Sequence, residues 1–249
     1  MLIRRISRHL AEQNWVAVGL DLLIVIVGIF LGLQVDAWND RRLDRQLEAQ
    51  TLERLRTEFI MICEEARDAR RYHEEVAASV DVITASMAAG AFSPADRADV
   101  LAGLQEGLNF STGARRSGTY VDLVSGGRIA LLTDGELRAN LNKYDELYEK
   151  ADSLFANFWQ AQRVHELAFL RHAGYASPRA RAGDAILPAK VIDFNAAAAL
   201  ADPGFRLSAE RVAEYQLYFS YWHSLMEAEA KKVLELLEVD PGNCLEDTD

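Results

Sequence analysis

Five residues of the most apolar stretch of the chain, Asp21, Gly28, Gly32, Val35 and Asn39, recur at intervals that suit joint action from one side of a helix. Positions seven apart on a helix differ by only about 20° around its axis, so all five fall on one stripe. Gly28 and Gly32 form a GxxxG pair, the spacing that lets two membrane helices approach backbone to backbone. A carboxylate inside a bilayer faces protein or water and avoids lipid. The chemistry expected of the stripe is therefore association: a membrane-helix packing face, with Asp21 offering a hydrogen bond or a charge. The competing account leaves Asp21 snorkelling at the interface and the glycines incidental.

Other candidates are weaker. His73, His165 and His172 sit on helix seams, where they suit a metal site, a pH-responsive core or, more commonly, satisfied core positions. Tyr215, Tyr218, Phe219, Tyr221 and Trp222 suit a ligand pocket or, more often, simple packing. Glu64-Glu65 and Glu74-Glu75 read as solvated faces. Two cysteines, Cys63 and Cys244, make no disulfide framework, and Cys63 shows no sign of an activated thiol. Glu-x-x-His, GxSxG, P-loop, HExxH and Cys-x-x-Cys are all missing from the sequence. No catalytic, cofactor-binding or metal-binding residue is expected, and no enzymatic activity.

The elements that must position these residues are mostly helical. The chain has 249 residues, half of them hydrophobic, and a formal net charge of -11. That balance excludes nucleic acid as a partner, since its binders need clustered Lys and Arg. Val16 to Val35 is apolar except for Asp21 and Gln34, and a span needs roughly 20 such residues. Trp15 and Trp38 bracket the run as interface anchors, about 35 Å apart on a helix. A cleavable signal peptide is the rival: Arg4, Arg5 and Arg8 as its basic region, Leu22–Leu33 as its apolar region, Val35-Asp36-Ala37 as its cleavage site. Asp21 and the paired tryptophans favour a retained span. The expected organisation is a basic tail over 1–15, a transmembrane helix over 16–36, a helical bundle over 37–240 and an acidic tail over 241–249.

Past Trp38 no Gly or Pro occurs until Gly90. Leu52, Leu55, Phe59, Ile62, Ala66, Ala69, His73, Val76, Val80, Ile83 and Met87 alternate three and four apart, a heptad seam. Ser93-Pro94 starts a second helix running to about Leu108, and Asn109–Gly118 reads as loop with Arg115 and Arg116 exposed. Tyr120–Ser125, Gly126-Gly127, the apolar plug Ile129–Leu132 and Thr133 read as a compact elbow. The capping box Thr133-Asp134-Gly135-Glu136 opens a third helix with a seam from Leu137 through Tyr144 and Phe155 to Phe169. Gly174 to Lys190 reads as loop, Asp193–Ala201 as a short helix, and Ser208 as the N-cap of a last helix that stops at Asp240-Pro241-Gly242. The fold class is all-α: an N-terminal transmembrane helix followed by an antiparallel, coiled-coil-like bundle of long helices.

The stretch Asp21, Gly28, Gln34, Trp38, Asn39, Asp40 resembles the opening of a bacterial membrane family, the domain of unknown function 6090. A second block is similar to that family's pattern through Thr119, Tyr120, Leu123, Ser125, Gly126, Leu132, Glu136, Leu137, Arg138 and Tyr144. Together the blocks cover about a fifth of the chain. The resemblance implies membrane anchoring and a helical domain, and no reaction. Arg4, Arg5 and Arg8 on one side of the span nearly balance Arg41, Arg42 and Arg45 on the other. The orientation expected is N-terminus cytoplasmic and bundle periplasmic in a bacterial inner membrane, as a long acidic domain can translocate despite a few arginines. The expected partners are the lipid bilayer and a second copy of the chain or another membrane protein. The expected role is scaffold or assembly subunit; the alternative is a periplasmic sensor relaying a ligand or envelope signal to a partner.

Overall fold

A computed structural model of the protein describes residues 15–111, 115–176, 181–182, 185–186 and 190–244. The basic tail before Trp15, the acidic tail after Cys244, Pro178 and Pro188 lie outside the described residues, as do the side chains of Trp15 and Asp21. The architecture is all-α. Six α-helices are described: α1 (Trp15–Ala89), α2 (Arg97–Glu106), α3 (Gly118–Ser125), α4 (Gly135–Phe169), α5 (Ala196–Leu200) and α6 (Pro203–Leu236). The chain divides into two compact units, Met1–Thr51 and Leu52–Asp249. Residues 37–51, expected to belong to the bundle, fall in the first unit.

The first unit is helical over all its described residues. Its apolar side chains from Leu22 to Leu33 are 47–61% exposed among the described residues.

The second unit closes its own core. The α1 seam from Leu55 to Met87 is buried almost without a break. α6 runs antiparallel to α1: Arg56 Nε donates to Leu237 O at 2.9 Å, Arg70 Nε to Glu227 Oε2 at 2.7 Å, and Ser220 Oγ to Glu74 Oε1 at 3.2 Å. α6 is antiparallel to α4 as well, with Phe155 stacked on Phe219 at 4.2 Å and Phe158 edge-on to Tyr215 at 5.0 Å. α1 and α4 are therefore parallel, which requires the chain to return between them. It does so along α1: Tyr72 meets Glu106, Glu65 meets Arg115, Glu58 meets Thr119 and Arg54 meets Asp122.

The termini of these helices follow capping chemistry, with shifts from expectation. α1 ends at Gly90, whose φ of +71° closes a left-handed turn. Ser93 Oγ accepts from Ala95 N. α4 is capped by Asp134, which accepts from Glu136 N and Leu137 N; Thr133 lies one residue outside it. α6 starts at Pro203, not at Ser208: Asp202 accepts from Gly204 N and Phe205 N, and proline fills the first helical position. Ser208 is buried on the second turn. α6 stops at Leu236, before Asp240-Pro241-Gly242, with Glu238 in the left-handed region at φ +59°.

Two expectations need correction. The stretch read as loop from Gly174 contains strands: β1 (Ala173–Tyr175) pairs antiparallel with β4 (Val191–Phe194), and β2 (Arg181–Ala182) with β3 (Ala185–Ile186). Asp193 is in β4, so the short helix begins only at Ala196. The two cysteines are not separate either. Cys63 and Cys244 form a disulfide across 181 residues of sequence, both fully buried. The start of the acidic tail is thus tied to α1, with Arg67 Nη1 donating to Cys244 O.

The core falls into two clusters. One gathers Leu55, Phe59, Ile62, Tyr144, Phe155, Phe219 and Trp222; the other gathers Val80, Ile83, Leu104, Phe169, Phe205 and Val212. Between them lies a layer of buried polar side chains.

Candidate functional site

The stripe Asp21, Gly28, Gly32, Val35, Asn39 lies on α1 within the first unit. Gly28 and Gly32 have open space where a Cβ would stand, with nothing within 4 Å. Val35 is 62% exposed and Trp38 58% exposed. By length and composition this is a helix able to cross a membrane.

The elbow block is built for structure. Glu58 on α1 accepts from Ser117 Oγ at 2.7 Å, from Thr119 N at 3.1 Å and from the Thr119 hydroxyl, at the start of α3. A carboxylate there also complements the helix dipole. Tyr120 OH donates to Asn142 Oδ1 at 3.0 Å, and Tyr144 OH to Arg115 O at 2.8 Å. Gly127 turns the chain at φ +64°, and Leu132 is fully buried. Arg138 Nη1 donates to Leu132 O and braces the turn. Arg115 and Arg116 are exposed as expected, yet paired, Arg115 with Glu65 and Arg116 with Asp145 at 2.5 Å and Glu149 at 2.7 Å.

The three seam histidines do not meet. His172 pairs with Asp202 at 2.9 Å and holds its carboxyl down at about 2. His165 lies 3.4 Å from Ser208 Oγ. His73 meets a histidine that sequence reasoning missed, His223, stacked at 5.5 Å and 6°. No cluster of three or more His, Cys, Asp or Glu side chains suited to a metal occurs among the described residues.

His73 and His223 belong to the polar layer, with Gln216 at its centre. Gln216 Nε2 donates to Gly107 O at 2.8 Å and Asn109 O at 3.1 Å, which fixes its amide orientation. Its Oε1 accepts from His73 Nδ1 at 2.6 Å. His73 Nε2 and His223 Nε2 both reach Ser111 O, each at 3.1 Å. His73 thus faces acceptors with both ring nitrogens, while a neutral imidazole carries one N–H. His223 Nδ1 has no partner. Burial pushes both imidazoles below their ordinary value, against the pull of the Ser111 carbonyl, and His223 falls to about 4. Only sequence-distant helices bring this layer together, so no local signal marks it.

Gln162 Nε2 donates to Leu108 O at 2.7 Å, so the segment Gly107–Ser111 is strapped by four side chains. On its outer side lies a half-open groove of about 440 Å³. Leu104, Leu108, Leu170 and Val191 form its apolar part; Arg163, Glu166 and Tyr175 line it too. The aromatic residues Phe219 and Trp222 belong instead to the core, and Tyr221 is 55% exposed on the outside. The acidic pairs are only partly solvated faces, since Glu65 pairs with Arg115 and Glu74 with Arg70.

No protein-family model, no curated protein and no solved structure matches this chain.

Proposed function

We propose that this is a non-enzymatic, single-pass protein of a bacterial inner membrane, a scaffold or assembly subunit that works through helix–helix contacts. The observation that carries the proposal is the surface of α1 in the first unit, apolar and exposed residue after residue from Leu22 to Leu33. Such a surface needs lipid, and its Gly28 and Gly32 stripe suits a close helix partner. Trp15 and Trp38 serve as interface anchors in this account. The partner is a second copy of the chain or another membrane protein. The resemblance to the domain of unknown function 6090 supports the same anchoring.

The proposed orientation, N-terminus cytoplasmic and helical unit periplasmic, draws support from the Cys63–Cys244 disulfide. Disulfides persist in the bacterial periplasm and are rare in the reducing cytosol. The groove beside Arg163 and Glu166 favours a second reading, in which the periplasmic unit senses a small ligand and relays it to the partner.

The test of the first reading is recovery of partner from native membranes in mild detergent, per unit of inserted protein. Gly28→Ile and Gly32→Ile each separate the backbones and lower recovery. Polar contacts between membrane helices average only about 0.6 kcal/mol, so Asp21→Asn lowers it less, unless Asp21 must be charged, in which case it is the most damaging of the three. Unchanged recovery in all three variants overturns the packing face.

A further inference from the structure

We infer that the groove beside α4 is a binding site for a small zwitterion with an apolar body, of the size of a dipeptide carrying two apolar side chains. The inference rests on the sensor reading for its purpose but on the groove alone for its chemistry.

The volume, about 440 Å³, lies in the range of small-molecule sites. Its apolar part is built from Leu104 and Leu108 of the α2 side, Leu170 beyond α4 and Val191 of β4. These surfaces recognise hydrocarbon and nothing more.

The charged residues supply the selectivity. Arg163, Glu166 and Leu170 are three and four apart, so they share one face of the helical turn that lines the groove. Neither Arg163 nor Glu166 takes part in an ion pair among the described residues. Elsewhere on the second unit Arg70, Arg115 and Arg116 are spent on carboxylates. Among the described residues Arg163 and Glu166 thus keep opposite, unpaired charges at one groove, which a ligand with a carboxylate and an ammonium complements. Cβ atoms three apart on a helix stand roughly 5–6 Å from each other. A dipeptide's ammonium and carboxylate stand farther apart than those of one amino acid by about 3.8 Å, one Cα–Cα step, which lets each end reach its own side chain. Tyr175 lies close enough to Glu166 to feel its charge, and burial together with that charge keeps its phenol protonated, a neutral donor on the rim.

The wall of the groove is held in place. Leu108 O is bound by Gln162, and the neighbouring Gly107 and Asn109 carbonyls by Gln216. Gln105 Oε1 accepts from Val191 N at 2.8 Å and ties α2 to β4 across the floor. A braced apolar floor beside two charges that are unpaired among the described residues is a preorganised site, not a gap left by loose packing.

The experiment is isothermal titration of the full-length protein in detergent with three probes: the dipeptide Leu-Leu, its N-acetylated and C-amidated form, and free leucine. Leu-Leu is expected to bind in the micromolar to low-millimolar range, and free leucine more weakly. Blocking both ends, or substituting Arg163→Gln or Glu166→Gln, is expected to weaken it at least tenfold. Both substitutions are on exposed side chains, so circular dichroism is expected to stay unchanged. Absence of binding by Leu-Leu at 10 mM overturns the site, as does equal binding of the blocked peptide. Binding that leaves partner recovery from membranes unaltered keeps the site and overturns the sensor reading.

Discussion

Replacing both Cys63 and Cys244 with serine is expected to cost the second unit about 3–5 kcal/mol. The bond joins residues 181 apart in sequence. For a loop of that length the chain-entropy relation gives about 5 kcal/mol of destabilisation of the unfolded state, at the top of the range usually found. The folded state keeps its attachment in the variant, because Arg56 still donates to Leu237 O and Arg67 to the backbone carbonyl at position 244. The bottom of the range allows for residual structure in the unfolded chain, which reduces the entropy that the bond removes. Urea unfolding of the full-length protein in detergent reads the change through the fluorescence of Trp222, which is buried at 6% exposure. With a slope of about 2–3 kcal/mol per molar, the midpoint falls by between roughly 1 and 2.5 M. Reductant is expected to shift the wild-type midpoint by a similar amount and the double variant not at all. A shift below about 1 kcal/mol would refute the closed-loop argument, and so would two alkylatable thiols in protein unfolded without reductant.

Acidification is expected to destabilise the same unit through the histidine layer. His223 is pushed to about 4 in the folded protein, below its unfolded value of about 6.5. The unfolded chain therefore binds more protons between those limits. Stability is full above about pH 6.5 and is lost as the pH falls towards 4, by about 3 kcal/mol from this group. Urea midpoints between pH 7.5 and 4.5 check this, and His223→Leu is expected to flatten the slope; an unchanged slope would contradict it. Glu58→Ala removes the acceptor of Ser117 and Thr119 and is expected to cost about 2 kcal/mol, read as the same midpoint shift. Glu238→Gly relieves a left-handed residue at φ +59° and is expected to stabilise the unit by up to about 1 kcal/mol, seen as a rise in thermal midpoint.

The long helices are legible in the sequence because their apolar residues recur at a fixed period. The α1 seam from Leu55 to Met87 is the buried face, and Gly90, the first glycine after it, marks its end. The start of α6 is ambiguous because two sites carry the same chemistry. Ser208 and Asp202 both suit an N-cap, and Pro203-Gly204 looks like a break until Asp202 is placed before a proline at the first helical position. The strands after α4 lack an apolar alternation that would announce them. The disulfide leaves no local trace, since its partners meet only after the chain has returned along α6 and past Leu237 to α1. His223 and Gln216 stand within an aromatic run that reads as core. That they hold His73 and the carbonyls of Gly107, Asn109 and Ser111 depends on three distant segments docking. The stripe from Asp21 to Asn39, by contrast, is a property of one helix and can be read from spacing alone.

The most direct test of the central proposal is photo-crosslinking along the span in living cells, one reactive side chain at a time. Positions 28 and 35 lie on the proposed packing face; positions 23 and 30 lie on the opposite side of the same helix. The account predicts strong protein adducts from the first pair and weak ones from the second, whether the captured partner is a second copy or another protein. Equal adducts on both faces, or none from either, would contradict it.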